Sequence, residues 1–571
     1  MSAGTYVCHA RNKVGSDSNY FKVQIDPYPD GEMPKKTVYL EKNSYAVLPC
    51  DIPHTRVDSF RWFKDGKVIS KGNYTISSVQ DHHVGIYICR ISTFTSSSSA
   101  QIEVKIGSRP EFKPENSSPE ESFNYDEGYD AYLECEANGA PKPEVTWTHN
   151  GKKMPMNEMV TDFVMTPDTI GNYTCVVENQ FGSISRNFEI IPEDCFINIR
   201  EEFTTKQPLL IELPFHRLPQ YENHFGYLKI VSRQKMELYC PSGFTNLPTS
   251  NVTAYCMEGQ FFVDGVSYKY SEFDCKEEIK PIIKKTGKEC KSRNTERIKI
   301  GYEKEHEFLE VYEVCFDKNK NVPIYSKQKI HRTYGDTDLK NDTNWLEDDL
   351  MTLNSNVYFC EKQITQISYD LSRPFHVHDN CCFKDRLLVN PRDLLSGLPQ
   401  KAALSHLNVV PQWSTCGTAN WDVLEKKVRF IAKETWEGLT VWTGTNDHLQ
   451  LRDSSNKYQS INLRDSSGHS QPVPKFLWKV IQEPHIMKAS LAVIQFNIPD
   501  LTMREAKKLM PCNDICNSIS WLIGTDWQNT SRGFTICCSL EDFERNFGYS
   551  KEFGYYKAIL NRVSHFSSHS V

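Results

Sequence analysis

The chain has 571 residues, more than one hydrophobic core usually serves, so we expect about three or four folding units. Apolar residues make up 39% of it and charged residues 24%, and no run approaches the ~20 apolar residues of a membrane-spanning helix. The net charge of −7 argues against a generally basic nucleic-acid-binding protein, because phosphate contacts require a cationic surface.

The 19 cysteines are unusually many, and no two of them form a Cys-x-x-Cys pair. This spacing favours disulfides over zinc sites and predicts a secreted protein, although no signal peptide precedes Ser2. Six Asn-x-Ser/Thr sequons agree with secretion and are candidate glycosylation sites: Asn73, Asn116, Asn172, Asn251, Asn341 and Asn529.

Residues 1–26 contain the run Gly4-Thr5-Tyr6-Val7-Cys8, followed by the hairpin turn Asn12-Lys13-Val14-Gly15. From 36 to 106 the chain alternates apolar and polar residues between turns, which predicts the antiparallel strands of a sandwich. Cys50, Trp62 and Cys89 lie within it, and Tyr87 precedes the second cysteine by two residues.

This segment resembles the immunoglobulin fold, in which a disulfide between the sheets packs on a buried Trp and a tyrosine anchors the corner. The resemblance implies a disulfide between Cys50 and Cys89. The framework returns in residues 110–192 as Cys135, Trp147 and Cys175, which implies a second disulfide. The run Gly139-Ala140-Pro141-Lys142-Pro143 is similar to the I-set subclass.

Residues 1–26 resemble only the C-terminal half of such a domain. Half a sandwich cannot bury its inner face, so we expect the preceding half and the signal peptide to be missing from this sequence. Tandem immunoglobulin domains expose loops and strand edges, which favours extracellular protein ligands as partners.

The composition changes after Glu193, and 14 cysteines lie between Cys195 and Cys538. Residues 407–413 predict a strand, and the segment after a loop predicts an amphipathic helix. The apolar residues of that helix recur at helical spacing: Trp421, Leu424, Val428 and Ile431.

Residues 194–571 resemble the DNA/RNA non-specific endonucleases of the ββα-metal family, in particular their cysteine-rich secreted branch found in arthropods. Further segments agree in order: Thr443-Gly444-Thr445, Pro472-Val473-Pro474-Lys475-Phe476-Leu477-Trp478-Lys479, and Cys512, Cys516, Trp521, Gly533 and Cys537-Cys538. The predicted architecture is therefore multidomain, with all-β immunoglobulin sandwiches followed by an α+β endonuclease-like domain.

In this family a histidine in an Arg-Gly-His-Leu motif is the general base, an Asn holds one divalent metal ion, and a Glu on the helix holds the metal's water shell. The resemblance places the motif's Arg on Asp385, its His on Leu387 and the metal ligand on Gly417. Leucine cannot accept a proton and glycine offers no side-chain oxygen. Glu425 and Arg429 keep their family positions, although such residues also form ordinary i,i+4 ion pairs.

Two alternatives remain open at this level. A gapped alignment would make His376 the displaced base, with an insertion between base and strand. The run His376-Val377-His378-Asp379-Asn380-Cys381-Cys382 could also ligate zinc or copper, but oxidised cysteines and exposed histidines are the favoured interpretation.

The sequence thus predicts a secreted recognition protein with an inactive nuclease domain that could bind DNA, RNA or protein. No cofactor and no metal site are expected. The alternative is an active secreted endonuclease that hydrolyses DNA or RNA phosphodiester bonds with Mg²⁺. A third hypothesis assigns the function to the immunoglobulin domains as adhesion modules.

Overall fold

A computed structural model describes residues 4–23, 33–52, 59–92, 97–114, 120–219, 226–331, 345–346, 355–376, 382–414, 419–435, 438–484, 488–549, 552–556 and 558–561. The chain divides into two compact units, Met1–Ile191 and Pro192–Val571. Within the described ranges, every helix is too short or too polar to span a lipid bilayer.

The first unit begins with a single hairpin of two antiparallel strands, β1 (Gly4–Arg11) and β2 (Ser16–Val23). Side chains described on both strands are exposed, including Cys8, which is the one unbonded cysteine among the described residues. The hairpin therefore has no apolar core of its own.

The first complete sandwich pairs a large sheet with a short two-stranded one. Its strands are β3 (Lys35–Glu41), β4 (Ala46–Val47), β5 (Ser59–Lys64), β6 (Lys67–Lys71), β7 (Thr75–Ile76), β8 (Gly85–Ser92) and β9 (Ser97–Phe112). The main sheet has the strand order β9-β8-β5-β6, with β3 parallel to β9. The short sheet pairs β4 with β7. Trp62 is fully buried beside the Cys50–Cys89 disulfide, and Tyr87 donates a hydrogen bond to His83 O at 2.9 Å.

The second sandwich repeats this arrangement. Its strands are β10 (Glu120–Asn124), β11 (Asp130–Glu134), β12 (Ala137–Ala140), β13 (Glu144–His149), β14 (Lys152–Lys153), β15 (Val160–Val164), β16 (Gly171–Asn179) and β17 (Gly182–Ile191). Cys135 is bonded to Cys175, and Trp147 is fully buried with them. Tyr173 donates to Thr169 O at 2.9 Å, which is the tyrosine corner the sequence indicated.

The second unit opens with a small antiparallel sheet. Its first strands are β18 (Cys195–Asn198), β19 (Leu209–Glu212), β20 (Tyr227–Ile230), β21 (Lys235–Tyr239), β22 (Asn251–Met257), β23 (Gln260–Val263) and β24 (Val266–Tyr268). The sheet has the order β19-β21-β22-β23-β24, while β18 pairs with β20. Disulfides Cys195–Cys256 and Cys240–Cys275 lie in its core.

A larger sheet with flanking helices forms the rest of the unit. Its elements are β25 (Ile282–Lys285), β26 (Thr295–Lys304), β27 (Glu307–Asp317), β28 (Val322–Ile330), α1 (Cys360–Leu371), β29 (Phe383–Leu387), α2 (Leu398–Ala402), β30 (Val409–Trp413), α3 (Asn420–Lys433), β31 (Leu439–His448), β32 (Gln450–Arg452), β33 (Tyr458–Ser460), β34 (Asn462–Arg464), β35 (Ser470–Pro472), β36 (Pro474–Glu483), β37 (Ala489–Phe496), α4 (Met503–Leu509), β38 (Thr535–Cys538), α5 (Leu540–Phe547) and β39 (Ala558–Ile559). The sheet runs β25-β26-β27-β28-β31-β36-β37-β38, and β39 pairs with β37.

Helices cover both faces of this sheet. The four apolar residues predicted for the helix are buried on α3 and pack against strand residues such as Leu477 and Leu491. On the opposite face, Phe543 and Phe547 of α5 pack near Trp478. The predicted amphipathic helix and the α+β class of this unit are therefore confirmed.

The two immunoglobulin tryptophans differ in one hydrogen bond. Trp147 Nε1 donates to Glu158 O at 2.8 Å, whereas Trp62 Nε1 is buried with no hydrogen-bond partner among the described residues. Substitution by Phe removes the same indole nitrogen and ring volume at each position. The pair therefore isolates the hydrogen bond from the packing.

We expect Trp147→Phe to lower the free energy of unfolding of its domain by about 1 kcal/mol more than Trp62→Phe does, because only Trp147→Phe leaves a carbonyl unpaired. Scanning calorimetry of the whole chain would measure both shifts. Equal losses would contradict this role of the Glu158 contact.

Candidate functional site

The residues assigned to the site lie on a hairpin and the helix that follows it. β29 pairs antiparallel with β30, with Asp385 opposite Pro411 and Leu387 opposite Val409. α3 begins at Asn420, after a connection that includes residues 415–418. This order of strand, strand and helix is the ββα arrangement predicted from the sequence.

Three of the assigned positions carry no group suited to the expected chemistry. Asp385 is exposed on β29 and Leu387, the last residue of the strand, is half-buried. Leu387 has no lone pair or titratable proton, so it cannot activate water. Gly417 lies outside the described residues.

Glu425 provides a carboxylate in the site, but this carboxylate accepts a hydrogen bond from one neighbouring side chain and lies beside two cationic ones. It lies on α3 and is 3% exposed. Asn390 Nδ2 donates to its Oε2 at 2.8 Å, Arg386 lies 3.6 Å from the same oxygen, and Lys479 Nζ lies 3.6 Å from Oε1. Burial by itself would raise the pKa of Glu425, but Lys479 and Arg386 outweigh it and the pKa is lowered. The carboxylate is therefore ionised and held between two cations.

Lys479 comes from the centre of the large sheet. It is 1% exposed on β36, donates to Thr443 Oγ1 at 2.8 Å, and lies 5.2 Å from the ring of Trp421. Burial lowers the pKa of Lys479, against the opposing effect of Glu425 and Asp393. The sequence analysis gave this residue no role. The available signal was a lysine inside an otherwise apolar strand, because such a charge needs a buried partner.

Arg386 was also missed, although it lies between the two substituted motif positions. Its Nη2 donates to Asp422 at 2.8 Å, and its Nε donates to Gln412. Because side chains alternate along a strand, Arg386 faces α3 while its two neighbours on β29 face the other way. The guanidinium at the motif's glycine position thus binds two acidic residues of the helix.

The expected i,i+4 ion pair between Glu425 and Arg429 is not formed, so that interpretation was wrong. Arg429 Nη1 instead binds Asp393 Oδ1 at 2.7 Å, and Gln328 donates to Asp393 Oδ2 at 3.1 Å. Burial raises the pKa of Asp393, with Arg429 acting in the opposite direction. A buried carboxylate beside the helix offers Arg429 a closer partner than the next turn does.

Asn408 closes the segment between β29 and β30. It is fully buried; its Oδ1 accepts from Val389 N at 2.8 Å, and its Nδ2 donates to the carbonyls of Val389 and Ala403, each at 2.9 Å. These bonds fix the chain just beyond Leu387. Asn408 therefore positions the former motif without offering it chemistry.

The residues present do not fit the divalent metal ion that the family resemblance implies. Glu425 Oε1 accepts no hydrogen bond from the described residues, but an ammonium and a guanidinium lie 3.6 Å from this carboxylate. A divalent cation beside it would be repelled by both. In the alignment that the resemblance implies, the family's Asn ligand falls on Gly417, which has no side-chain oxygen.

The structure gives little support to His376 as a displaced base or to a zinc or copper site in residues 376–382. His376 is exposed at the end of the segment that follows α1. Cys382 is bonded to Cys360, so its sulfur is not available as a metal ligand. His378 and Cys381 lie outside the described residues. Among those described, the one cluster with metal-ligand spacing is Asp514, Cys516 and Cys537, and its two cysteines are bonded to each other.

The predicted glycosylation sites differ in accessibility. Asn73 and Asn172 are exposed. Asn251 is partly buried and its Nδ2 donates to Glu237, while Asn529 accepts from Ser531 N at 3.0 Å. Asn116 and Asn341 lie outside the described residues.

Comparison with known proteins identifies the parts of the chain. Residues 388–543 match the family model for DNA/RNA non-specific endonucleases, and residues 31–106 and 111–179 match immunoglobulin-domain models. The nuclease match is narrower than the domain predicted over 194–571, and it begins just after Leu387.

The similar proteins share the immunoglobulin region. Hemicentin-2 of Mus musculus is 28% identical over 209 residues, which are 33% of this chain and 4% of that protein. Inactive tyrosine-protein kinase 7 of Mus musculus is 28% identical over 194 residues, 31% of this chain and 18% of that protein. Cell adhesion molecule Dscam1 of Drosophila melanogaster is 29% identical over 161 residues, which are 27% of this chain and 8% of that protein.

Among solved structures, the four N-terminal immunoglobulin domains of Dscam1 isoform 4.44 are 18% identical and cover 33% of this chain and 54% of that one, with a TM-score of 0.20. The chain thus spans only a small part of the curated relatives it matches.

The ion network yields a test of what Glu425 does. We expect Glu425→Gln to cost roughly 3 to 5 kcal/mol of unfolding free energy, because it leaves Lys479 and Arg386 buried without their counter-charge. Lys479→Met should be less harmful in the Glu425→Gln background than alone. Chemical denaturation of the unmodified chain, the two single variants and the double variant measures the coupling free energy between Glu425 and Lys479.

Glu541→Gln is the matched control, since Glu541 forms an exposed ion pair with Arg545 on α5 and should hardly change the midpoint. A gain of stability in Glu425→Gln would instead mean that the carboxylate is retained at a cost, as expected for a cation-binding residue.

Accessibility also predicts which sequons carry glycans. When the chain is expressed in eukaryotic cells behind a signal peptide, Asn73→Gln and Asn172→Gln should each remove the mass of one glycan. Asn251→Gln should remove none, because a glycan there would have to displace the Glu237 contact. Intact mass before and after enzymatic deglycosylation measures this, and a glycan on Asn251 would contradict the assignment.

Proposed function

We propose that this chain, which joins immunoglobulin domains to a DNA/RNA non-specific endonuclease domain, is a secreted recognition protein whose nuclease-like domain does not cleave nucleic acid. The immunoglobulin domains bind extracellular protein ligands. The nuclease-like domain contributes a rigid binding surface in place of catalysis.

The state of Glu425 carries this proposal. In the resembled nucleases this carboxylate serves a hydrated divalent cation, and here Lys479 and Arg386 supply the neutralising charge instead. With leucine in place of the base and glycine in place of the metal ligand, neither the water nor the leaving oxygen would be activated. The fold keeps its electrostatic balance without a metal ion.

Secretion is supported by the eight disulfides among the described residues, since such bonds persist in oxidising compartments. The matched relatives include a cell adhesion molecule, which supports a protein ligand for the immunoglobulin domains. A nucleic-acid ligand for the nuclease-like domain remains a proposal, and the overall charge of −7 does not favour it.

The purified chain is expected to leave plasmid DNA and RNA intact in Mg²⁺, Mn²⁺ or Ca²⁺, because no group can deprotonate water at position 387. Gel electrophoresis against a buffer blank measures this. The same chain should bind no stoichiometric Mn²⁺ by calorimetry.

His376→Ala serves as the matched control for a displaced base. Cleavage by the unmodified chain that disappears in this variant would overturn the proposal in favour of an active endonuclease. Cleavage that persists unchanged in it would indicate a contaminating nuclease, which chromatography of both proteins would then separate from the chain.

A further inference from the structure

A cleft in the nuclease-like unit is lined by residues other than Glu425 and the two cations beside it. It encloses about 630 Å³ between the turn that joins β27 to β28, the end of β31 and the start of β36. Its walls include Lys291, Lys320, Asn446 and Pro411. A volume of roughly 300 to 1,000 Å³ is typical of sites for small molecules. The cleft is therefore large enough for a ligand.

Lys291 is held at this cleft by neutral groups. Its Nζ lies 3.8 Å from the ring centre of Tyr549, 3.4 Å from Phe547 O and 3.5 Å from Asn446 Oδ1. Within the described part of the chain, no carboxylate lies within ion-pair distance of this ammonium. It is thus a partly desolvated cation with weak acceptors.

Lys320 adds a second positive charge to the same cleft. Burial and then the charge of Lys320 lower the pKa of Lys291 to about 8, while Asp447 acts in the opposite direction. Asp317, on the same wall, uses its Oδ1 to accept from the backbone of Asn319 at 3.0 Å and of Lys320 at 3.1 Å. Among the described residues neither ammonium group forms an ion pair, although the carboxylates of Asp317 and Asp447 also line the cleft.

We propose that this cleft binds a phosphate group, which bridges Lys291 and Lys320 through charge-assisted hydrogen bonds. A phosphate offers several acceptor oxygens and up to two negative charges, so one group can satisfy both ammonium groups, whereas a carboxylate carries a single charge. The phosphate could belong to a free phosphate compound or to a nucleic-acid backbone. The inference does not depend on the state of Glu425, so it can fail while the proposed function stands.

The charged and titratable groups that face Lys291 set the pH dependence. They are Lys320, Asp317, Asp447, His448 and Tyr549. His448 Nε2 is already occupied by Ile461 O at 2.8 Å, and burial keeps the pKa of Tyr549 well above its ordinary value. Lys291 is therefore the group that changes charge near pH 8. Binding should weaken as the pH rises from 7.5 to 9.5.

Calorimetric titration of the full chain with inorganic phosphate tests the proposal. Lys291→Met is expected to weaken binding at least about tenfold, since it removes a charge-assisted hydrogen bond. Lys320→Ala should weaken it several-fold and, because Lys320 is exposed, should leave the fold intact. Lys288→Ala, an exposed lysine nearby that does not line the cleft, is the matched control and should change nothing.

A short single-stranded oligonucleotide is titrated in parallel to distinguish the two sources. Binding of both probes with the same sensitivity to Lys320→Ala would assign the cleft to the nucleic-acid backbone, and binding of phosphate alone would assign it to a free phosphate compound. No phosphate binding, or binding that both lysine variants leave unchanged, would overturn the proposal.

Discussion

The buried carboxylate of Glu425 requires positively charged partners, and these partners connect α3 with strands β36 and β29. A buried charge without a partner costs several kcal/mol, so the helix that carries Glu425 can pack on the sheet only where cations meet it. Lys479 from β36 and Arg386 from β29 meet that need. Arg429 of the same helix and Asp393, in the segment after β29, form a second buried pair. The apolar face of α3 packs on the sheet, and the buried charges on the helix are paired with side chains of neighbouring segments.

The same network explains how α3 packs with a buried carboxylate on it. A site that holds a divalent cation concentrates negative charge, and removal of the ion leaves that charge uncompensated. Here the ammonium of Lys479 and the guanidinium of Arg386 lie beside the carboxylate of Glu425 and lower its pKa. Asn408 meanwhile holds the chain beyond Leu387 through three hydrogen bonds. The hairpin thus keeps a defined backbone just beyond Leu387.

The cores of the two immunoglobulin domains depend on a few shared contacts. In each, one disulfide and one buried tryptophan form the centre of the core, and a tyrosine hydroxyl binds a backbone carbonyl four residues earlier. These contacts depend on few residues, so the remaining surface can vary for recognition. Strand β9 continues from the first sandwich and pairs with β12 of the second, which joins the two domains within the first unit.

The sequence by itself determined the cysteine and tryptophan frameworks and the amphipathic helix, and it predicts the missing groups at positions 385, 387 and 417. Each of these depends on residue identity or on short-range spacing, which a reader of the chain can see directly. The partners of Glu425 could not be predicted, because Lys479 and Arg386 reach it from separate strands and the local alternative, Arg429, is one helical turn away. The disulfide pairing after Cys195 and the cleft at Lys291 were hidden for the same reason. Only the packing of distant segments decides which buried charges meet. The free-energy cost of an unpaired charge depends on its burial and its neighbours, and both are set by the tertiary structure.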